Sequence, residues 1–89
     1  MLPIFCPSCN ERLHVKSMHC TNCQTNVEGS YELPVLLNLS AEEQIFIMNF
    51  VKASGSLKEM AKHLKLSYPT VRNRLDDLIK KIKTIENSK

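Results

Sequence analysis

Glycine is scarce in this chain of 89 residues, with two in total, Gly29 and Gly55. A glycine-rich loop that cradles phosphate groups is therefore excluded, and no Ser, His and Asp residues are arranged as a nucleophilic triad. No segment approaches the roughly 20 apolar residues of a membrane span, and Pro3 interrupts the short apolar start of the chain, which argues against a signal peptide. We therefore expect a cytoplasmic protein that is not an enzyme.

The cysteines show a clear pattern. All four lie in two CxxC pairs separated by ten residues, Cys6, Cys9, Cys20 and Cys23. In a reducing compartment such pairs favour metal or redox chemistry over structural disulfides. Four thiolates bind zinc tetrahedrally and leave no open coordination position for water or substrate. The spacing therefore predicts a structural zinc site.

Other uses of the cysteines remain open. In a redox-sensing site, oxidation of the thiolates to disulfides would release the metal, and an iron–sulfur centre is a further alternative. His14 or His19 could replace one cysteine in a Cys3His site, although four cysteines already complete the set.

Residues 1–35 are poor in long apolar runs, and a domain of about 40 residues usually needs a disulfide or a metal to be stable. Polar and apolar residues alternate over 11–16, which predicts a half-buried strand. The segment 25–33 could return as a second strand, with Gly29 at a bend. We therefore predict a zinc ribbon of two or three short strands over residues 1–35.

Residues 36–89 predict three helices, so that the whole chain is a small α+β protein. Ser40 and Ser56 each precede a glutamate by three residues, the pattern of a capping box. Ser67 is followed by Pro69, which is tolerated in the first turn of a helix. The expected helices cover 42–53, the segment after Ser56 up to Leu64, and 70–85. The first helix has a broad apolar face formed by Ile45, Phe46, Met48, Phe50 and Val51.

The last two helices and the tight turn between them predict a helix-turn-helix domain over residues 36–89. Ala61 is small enough for the place where the two helices cross, and Leu66 would fill the turn. Val71 and Leu75 would hold the second helix against the first. The remaining side chains near the start of the last helix are candidates for contacts with DNA: Ser67, Tyr68, Thr70, Arg72, Asn73 and Arg74.

Five of the six candidates have side chains with known chemistry for DNA, and Tyr68 could add to the sequence preference. Arg72 and Arg74 could bind guanine through two hydrogen bonds, and Asn73 could bind adenine in the same way. Ser67 and Thr70 suit contacts with phosphate, assisted by the amino terminus of the helix.

The string from Leu66 to Leu75 resembles the recognition helix of sigma-factor region four and of response-regulator DNA-binding domains. Two features depart from that pattern. Lys65 occupies the place where those proteins often have glycine in a left-handed turn, and Asp76 with Asp77 forms an acidic pair that would face phosphate unfavourably on the DNA side.

The whole chain also resembles a family of small bacterial proteins that bears a domain-of-unknown-function label. These proteins pair an amino-terminal two-CxxC ribbon with a carboxy-terminal helix-turn-helix. The resemblance includes the joint at residues 28–34 and the string 67–75, and it implies a regulatory role without a known target.

Charge is divided unevenly along the chain. Residues 39–89 contain ten Lys and Arg against six Asp and Glu, a balance of +4, whereas residues 1–38 have a balance of −1. Contact with a polyanion is therefore expected from the carboxy-terminal half, with Lys58, Lys62 and Lys80 on phosphates.

Apolar residues in the last helix are spaced by four and three: Val71, Leu75, Leu78, Ile82 and Ile85. This spacing predicts either packing onto the first helix or the linker, or a homodimer through Leu78, Ile82 and Ile85. The sequence as a whole predicts a transcriptional regulator that binds double-stranded DNA. The alternative is an adaptor that binds a protein of the transcription machinery, such as an RNA polymerase subunit or a sigma factor.

Overall fold

The computed structural model describes residues 2–88. Two strands are followed by a short 3-10 turn and three α-helices, which agrees with the predicted α+β class. The elements in chain order are β1 (His14–His19), β2 (Asn26–Glu32), the 3-10 turn (Val35–Asn38), α1 (Ala41–Lys52), α2 (Leu57–Leu64) and α3 (Tyr68–Asn87). The chain divides into two compact units after Asn38. No helix in this part of the chain is both long enough and apolar enough to cross a membrane.

The first unit is built on an antiparallel pairing of β1 with β2. Val15 lies opposite Tyr31, but Ser17 lies opposite Glu28, so β2 contains one extra residue between these pairs. Gly29 and Ser30 are the β2 residues between these pairs. A Cβ atom at Gly29 would lie 2.8 Å from ring atoms of Tyr31, and glycine therefore lets the ring fold back over the strand.

The strand predicted over 11–16 begins later, at His14. Residues before it are used in a separate short pairing, in which Arg12 bridges to Phe5 and the Leu13 amide donates to the carbonyl of Ile4 over 2.8 Å. The alternating pattern is therefore shared between two antiparallel contacts. The prediction was wrong in the extent of the strand, because alternation does not reveal which partner each residue pairs with.

Little apolar surface is buried in the first unit. Every residue of β2 is exposed, and Met18 and Val27, which are opposite each other, are 62% and 52% exposed. Leu33 and Asn38 are buried. The side-chain nitrogen of Asn38 donates to the backbone carbonyls of Leu33 and Pro34, each over 3.1 Å. A two-stranded hairpin with so little burial is marginally stable by itself.

The predicted helix starts are present in the second unit. The Ser40 hydroxyl accepts from the Glu43 amide, and the Glu43 carboxylate accepts from the Ser40 amide over 2.8 Å, which completes a capping box. At Ser56 only half of the predicted box forms. Its hydroxyl accepts from the amide of Glu59, while the Glu59 carboxylate lies 3.8 Å from the Lys62 ammonium.

The core of the helical unit lies where α2 and α3 pack together. Leu57, Met60 and Val71 are buried in one cluster. Seven partly buried residues surround them, including Ala61 and Leu66 at the places predicted: Phe46, Phe50, Ala53, Ala61, Leu64, Leu66 and Leu75. The crossing of the two helices expected from the sequence is thus formed by the expected side chains.

The apolar face predicted for α1 is only partly buried. Phe46 and Phe50 pack against the core, since they lie one helical turn apart on one side. Ile45, Met48 and Val51 are 58%, 57% and 68% exposed, because their spacing of three follows a different side of the helix. Of the broad apolar face predicted for this helix, only the side with Phe46 and Phe50 packs against the core.

The stripe along α3 does not support a zipper between two copies. Leu78 and Ile85 are already buried within the single chain, at 5% and 4% exposure, and Ile82 is partly buried. Side chains that are already buried offer little surface to a second helix.

Lys65 ends α2 with φ of 56° and ψ of 40°. This is the left-handed conformation expected at a position where the similar recognition motifs often have glycine. This conformation costs a residue with a Cβ atom about 1 kcal/mol relative to glycine. Its amide donates to the carbonyl of Lys62, and the amide of Leu66 donates to that of Ala61, which closes the turn.

We expect Lys65→Gly to raise the free energy of unfolding by about 1 kcal/mol, because glycine adopts the left-handed conformation without strain. Lys65→Ala is the matched control, since it removes the same charge and keeps the Cβ atom. Thermal unfolding followed by circular dichroism measures both variants. An equal gain in the two variants would assign the effect to charge.

Glu43 joins two parts of the helical unit. Its carboxylate accepts from the Lys81 ammonium over 2.6 Å and from the Ser40 amide. Partial burial raises the pKa of Glu43, and the hydrogen bonds from Lys81 and Ser40 lower it. The lowering is larger, so that the pKa of Glu43 is below its usual value. The unfolded chain therefore binds this proton more readily than the folded one, and the stabilisation is present above the unfolded pKa and lost as pH falls through the folded pKa.

We expect Glu43→Gln to lower stability by about 1 kcal/mol at neutral pH, because the ion pair and part of the cap are lost. The gap between variant and wild type should close as pH is lowered from neutral through the depressed pKa of Glu43, where the glutamate of the wild type becomes protonated. Glu42→Gln is the control, since it removes a charge from the same helical turn. Urea unfolding across this pH range tests the point, and a gap independent of pH would contradict it.

Candidate metal centre and nucleic-acid interface

The first CxxC pair lies in a tight turn closed by two backbone hydrogen bonds. The amide of Asn10 donates to the carbonyl of Cys6, and the amide of Cys6 donates to the carbonyl of Glu11, each over 2.8 Å. Asn10 has φ of 61°, the left-handed conformation that reverses the chain after Cys9.

The second CxxC pair repeats this turn at the tip of the β1–β2 hairpin. The amide of Gln24 donates to the carbonyl of Cys20, and the amide of Cys20 donates to that of Thr25, again over 2.8 Å. Gln24 has φ of 64°. The two turns contain different residues between their cysteines, and they adopt the same backbone geometry.

Two of the thiols lie in surroundings that favour the thiolate. The backbone amides of Cys9 and Ser8 lower the pKa of Cys6, and the Ser8 amide lies 3.4 Å from its sulfur. The Thr25 hydroxyl, 3.0 Å from the Cys23 sulfur, lowers the pKa of Cys23. Because metals bind the thiolate, both effects favour coordination.

His19 braces the second turn. One of its ring nitrogens is 2.6 Å from the side-chain oxygen of Asn26, and the other is 2.9 Å from that of Gln24. The side-chain nitrogen of Gln24 in turn donates to the backbone carbonyl of Thr21 over 3.1 Å. Both ring nitrogens of His19 are therefore engaged. His14 is an exposed residue of β1, opposite Glu32.

All four cysteines are free thiols. Within residues 2–88, no three Cys, His, Asp or Glu side chains form a group that could hold a metal ion. The donor set nevertheless fits zinc, because it offers four soft ligands in two matching turns. Negative thiolates repel one another unless a cation lies between them.

The start of α3 carries the side chains predicted to contact DNA. The Ser67 hydroxyl accepts from the amide of Thr70 and lies 2.7 Å from the Thr70 hydroxyl, so both groups take part in the helix cap. Each of the six predicted residues has an exposed side chain: Ser67, Tyr68, Thr70, Arg72, Asn73 and Arg74.

These side chains do not share one face. At 100° per residue, Asn73 points away from the buried Val71, and Arg72 lies beside it on the outer surface. Arg74 is turned towards α1, where it lines a pocket with Glu42, Glu43 and Asp77. The structure therefore brings Arg72 and Asn73 together and sets Arg74 apart among carboxylates.

The sequence analysis missed a partner for Arg72. Its Nε atom lies 3.5 Å from Oδ1 of Asp76, one helical turn later. The spacing of four between an arginine and an aspartate is the signal that could have revealed this pair. Asp76 had been noted only as a charge unfavourable to phosphate.

Comparison with family models agrees with both units. Residues 39–85 match the helix-turn-helix described as a domain of unknown function, DUF2089, and residues 6–36 match the DUF2089 zinc ribbon. The chain belongs to the DUF2089 family. The resemblance stated from the sequence, a two-CxxC ribbon followed by a helix-turn-helix, is thus confirmed. Neither the curated proteins nor the solved structures gave a match to this DUF2089 protein.

Proposed function

We propose that this DUF2089 protein is a cytoplasmic, DNA-binding transcriptional regulator that carries one structural zinc ion. The arrangement of α2, the left-handed turn at Lys65 and α3 carries the proposal. The buried cluster at Met60 and Val71 holds α2 against α3 and leaves the first turns of α3 exposed. A helix held in this way can enter the major groove of DNA with its amino-terminal residues towards the bases.

Roles follow from where the side chains lie. Arg72 and Asn73 are on the outer surface of α3 and have the chemistry to read guanine and adenine. Tyr68, which is 52% exposed at the helix start, can contact bases or sugars beside them. Arg74 is the weakest of the predicted base contacts, because it lines a pocket together with acidic residues of α1 and α3.

Phosphate contacts would supply most of the affinity. Lys58, Lys62 and Lys80 are exposed, and residues 39–89 have a balance of +4. Ser67 and Thr70 lie at the amino terminus of α3, where amide groups and the helix dipole favour an anion. Binding of this kind weakens steeply with salt, because each phosphate contact releases counterions.

The proposed zinc ligands are Cys6, Cys9, Cys20 and Cys23. The metal would join the two matching turns, and four protein ligands would leave no position for a catalytic water. Because the ribbon buries few apolar side chains, the metal would supply folding free energy that the chain lacks. Its role is therefore structural, and we propose no catalytic residue.

One observation favours a second function. Ile45, Met48 and Val51 form an exposed apolar stripe on α1, and such patches commonly bind other proteins. An adaptor that docks on a transcription-machinery protein through this helical face or through the ribbon would show no DNA binding at low salt. It would instead retain a polymerase subunit or sigma factor in a pull-down.

Selection from a random DNA pool with the zinc-loaded protein should yield a defined motif. We expect Arg72→Ala to weaken binding to the selected DNA more than to random DNA, by about 1–3 kcal/mol, because a base contact is lost. Lys80→Ala is the control and should weaken binding to both DNAs alike. Equal losses in the two variants would remove the assignment of Arg72 as a base-reading residue.

Metal analysis of protein purified under reductant should find one zinc ion per chain. Removal of the metal by a chelator should unfold the ribbon while α1 to α3 persist, because the helical unit has its own buried core. Amide exchange measured by NMR resolves the two units. Cys9→Ser should weaken zinc binding strongly, with Ser8→Ala as its control, and retention of full zinc affinity by Cys9→Ser would refute the ligand assignment.

A further inference from the structure

The outer surface of α3 carries an arginine and an aspartate that contact each other. The Arg72 Nε lies 3.5 Å from Oδ1 of Asp76, and the two side chains are 54% and 46% exposed. An exposed pair of this kind adds little to folding stability. The pair lies beside Asn73, on the side of α3 away from Val71. This position points to a role in binding and not in stability.

The atom that Asp76 contacts decides what Arg72 can still do. A guanidinium has five N–H donors in a planar fork, and Nε carries one of them. Because the contact with Asp76 is made by Nε, the two terminal nitrogens remain available as a pair of donors. Guanine presents two acceptors, O6 and N7, at a spacing that such a pair can bind.

The carboxylate also affects competing contacts. A free arginine on the surface of a recognition helix binds any phosphate, which adds affinity without sequence information. A carboxylate next to it repels phosphate and restricts the guanidinium to one orientation. Both effects favour a base contact over a backbone contact, since specificity is a difference between two affinities.

We propose that Asp76 is a specificity-determining residue that positions Arg72 for guanine and disfavours binding of Arg72 to phosphate. This proposal rests on the proposed DNA-binding function and deepens it. Asp76 acts through Arg72, so it is a positioning residue and not itself a base contact.

Asp77 provides a matched control. It neighbours Asp76 on the same helix, and the pocket that it lines contains Arg74 and not Arg72. Asp76→Asn and Asp77→Asn therefore change the charge of α3 equally, and only the first removes the partner of Arg72. Asp76→Glu retains the charge and should restore part of the effect.

The experiment is selection from a random DNA pool with the zinc-loaded full chain, carried out in parallel for wild type, Arg72→Ala, Asp76→Asn and Asp77→Asn. We expect Asp76→Asn to relax the motif at the same base position as Arg72→Ala. Its ratio of affinities for selected and random DNA should fall about fivefold or more. Asp77→Asn should strengthen binding to both DNAs and leave the motif and the ratio unchanged within about twofold.

Four results would overturn the proposal. If Asp76→Asn and Asp77→Asn behave alike, the effect is one of net charge. If Asp76→Asn relaxes a position other than that of Arg72→Ala, Asp76 reads a base directly. If wild type selects no motif, the DNA-binding function itself fails, whereas a wild-type motif that Asp76→Asn leaves intact sinks only the role of Asp76. Circular dichroism confirms that each variant is folded.

Discussion

Burial of Met60 and Val71 between α2 and α3 is the interaction on which the helical unit depends. Met60 is 1% exposed and Val71 is fully buried, and each contributes about 2 kcal/mol through the apolar surface removed from water. Because the two side chains come from different helices, their contact also fixes how one helix lies on the other. The start of α3 is exposed in a defined direction only because this contact holds the rest of the helix.

The ribbon has no comparable core. Its paired apolar residues Met18 and Val27 lie largely in solvent, and the order it has comes from backbone hydrogen bonds within turns and between two strands. Hydrogen bonds of this kind contribute little net free energy when their groups can equally bind water. The zinc ion that we propose for the four cysteines would supply the missing free energy, and both cysteine pairs lie in turns of the same backbone geometry.

The two units therefore solve the same problem of small size in different ways. The helical unit combines capped helices with one compact apolar cluster, and every capping serine lies next to a turn that redirects the chain. The ribbon relies on local turn geometry, including left-handed Asn10 and Gln24 after each pair of cysteines. Lys65 takes the same conformation in the helical unit, at the turn between α2 and α3.

The sequence by itself determined the elements with strong local signals. The CxxC spacing indicated the ribbon, the serines at 40, 56 and 67 marked the helix starts, and Ala61, Leu66 and Val71 were recognisable as packing residues, because caps, turns and metal ligands depend on neighbours within a few positions. Only the tertiary structure decided which apolar residues of α1 are buried and which residues pair with the segment before β1. It also decided that Arg74 lines a pocket with carboxylates while Arg72 pairs with Asp76. These outcomes depend on how helices and strands pack across long sequence separations or around a helix, and a pattern along the chain gives the spacing of side chains but not the surface that each one meets.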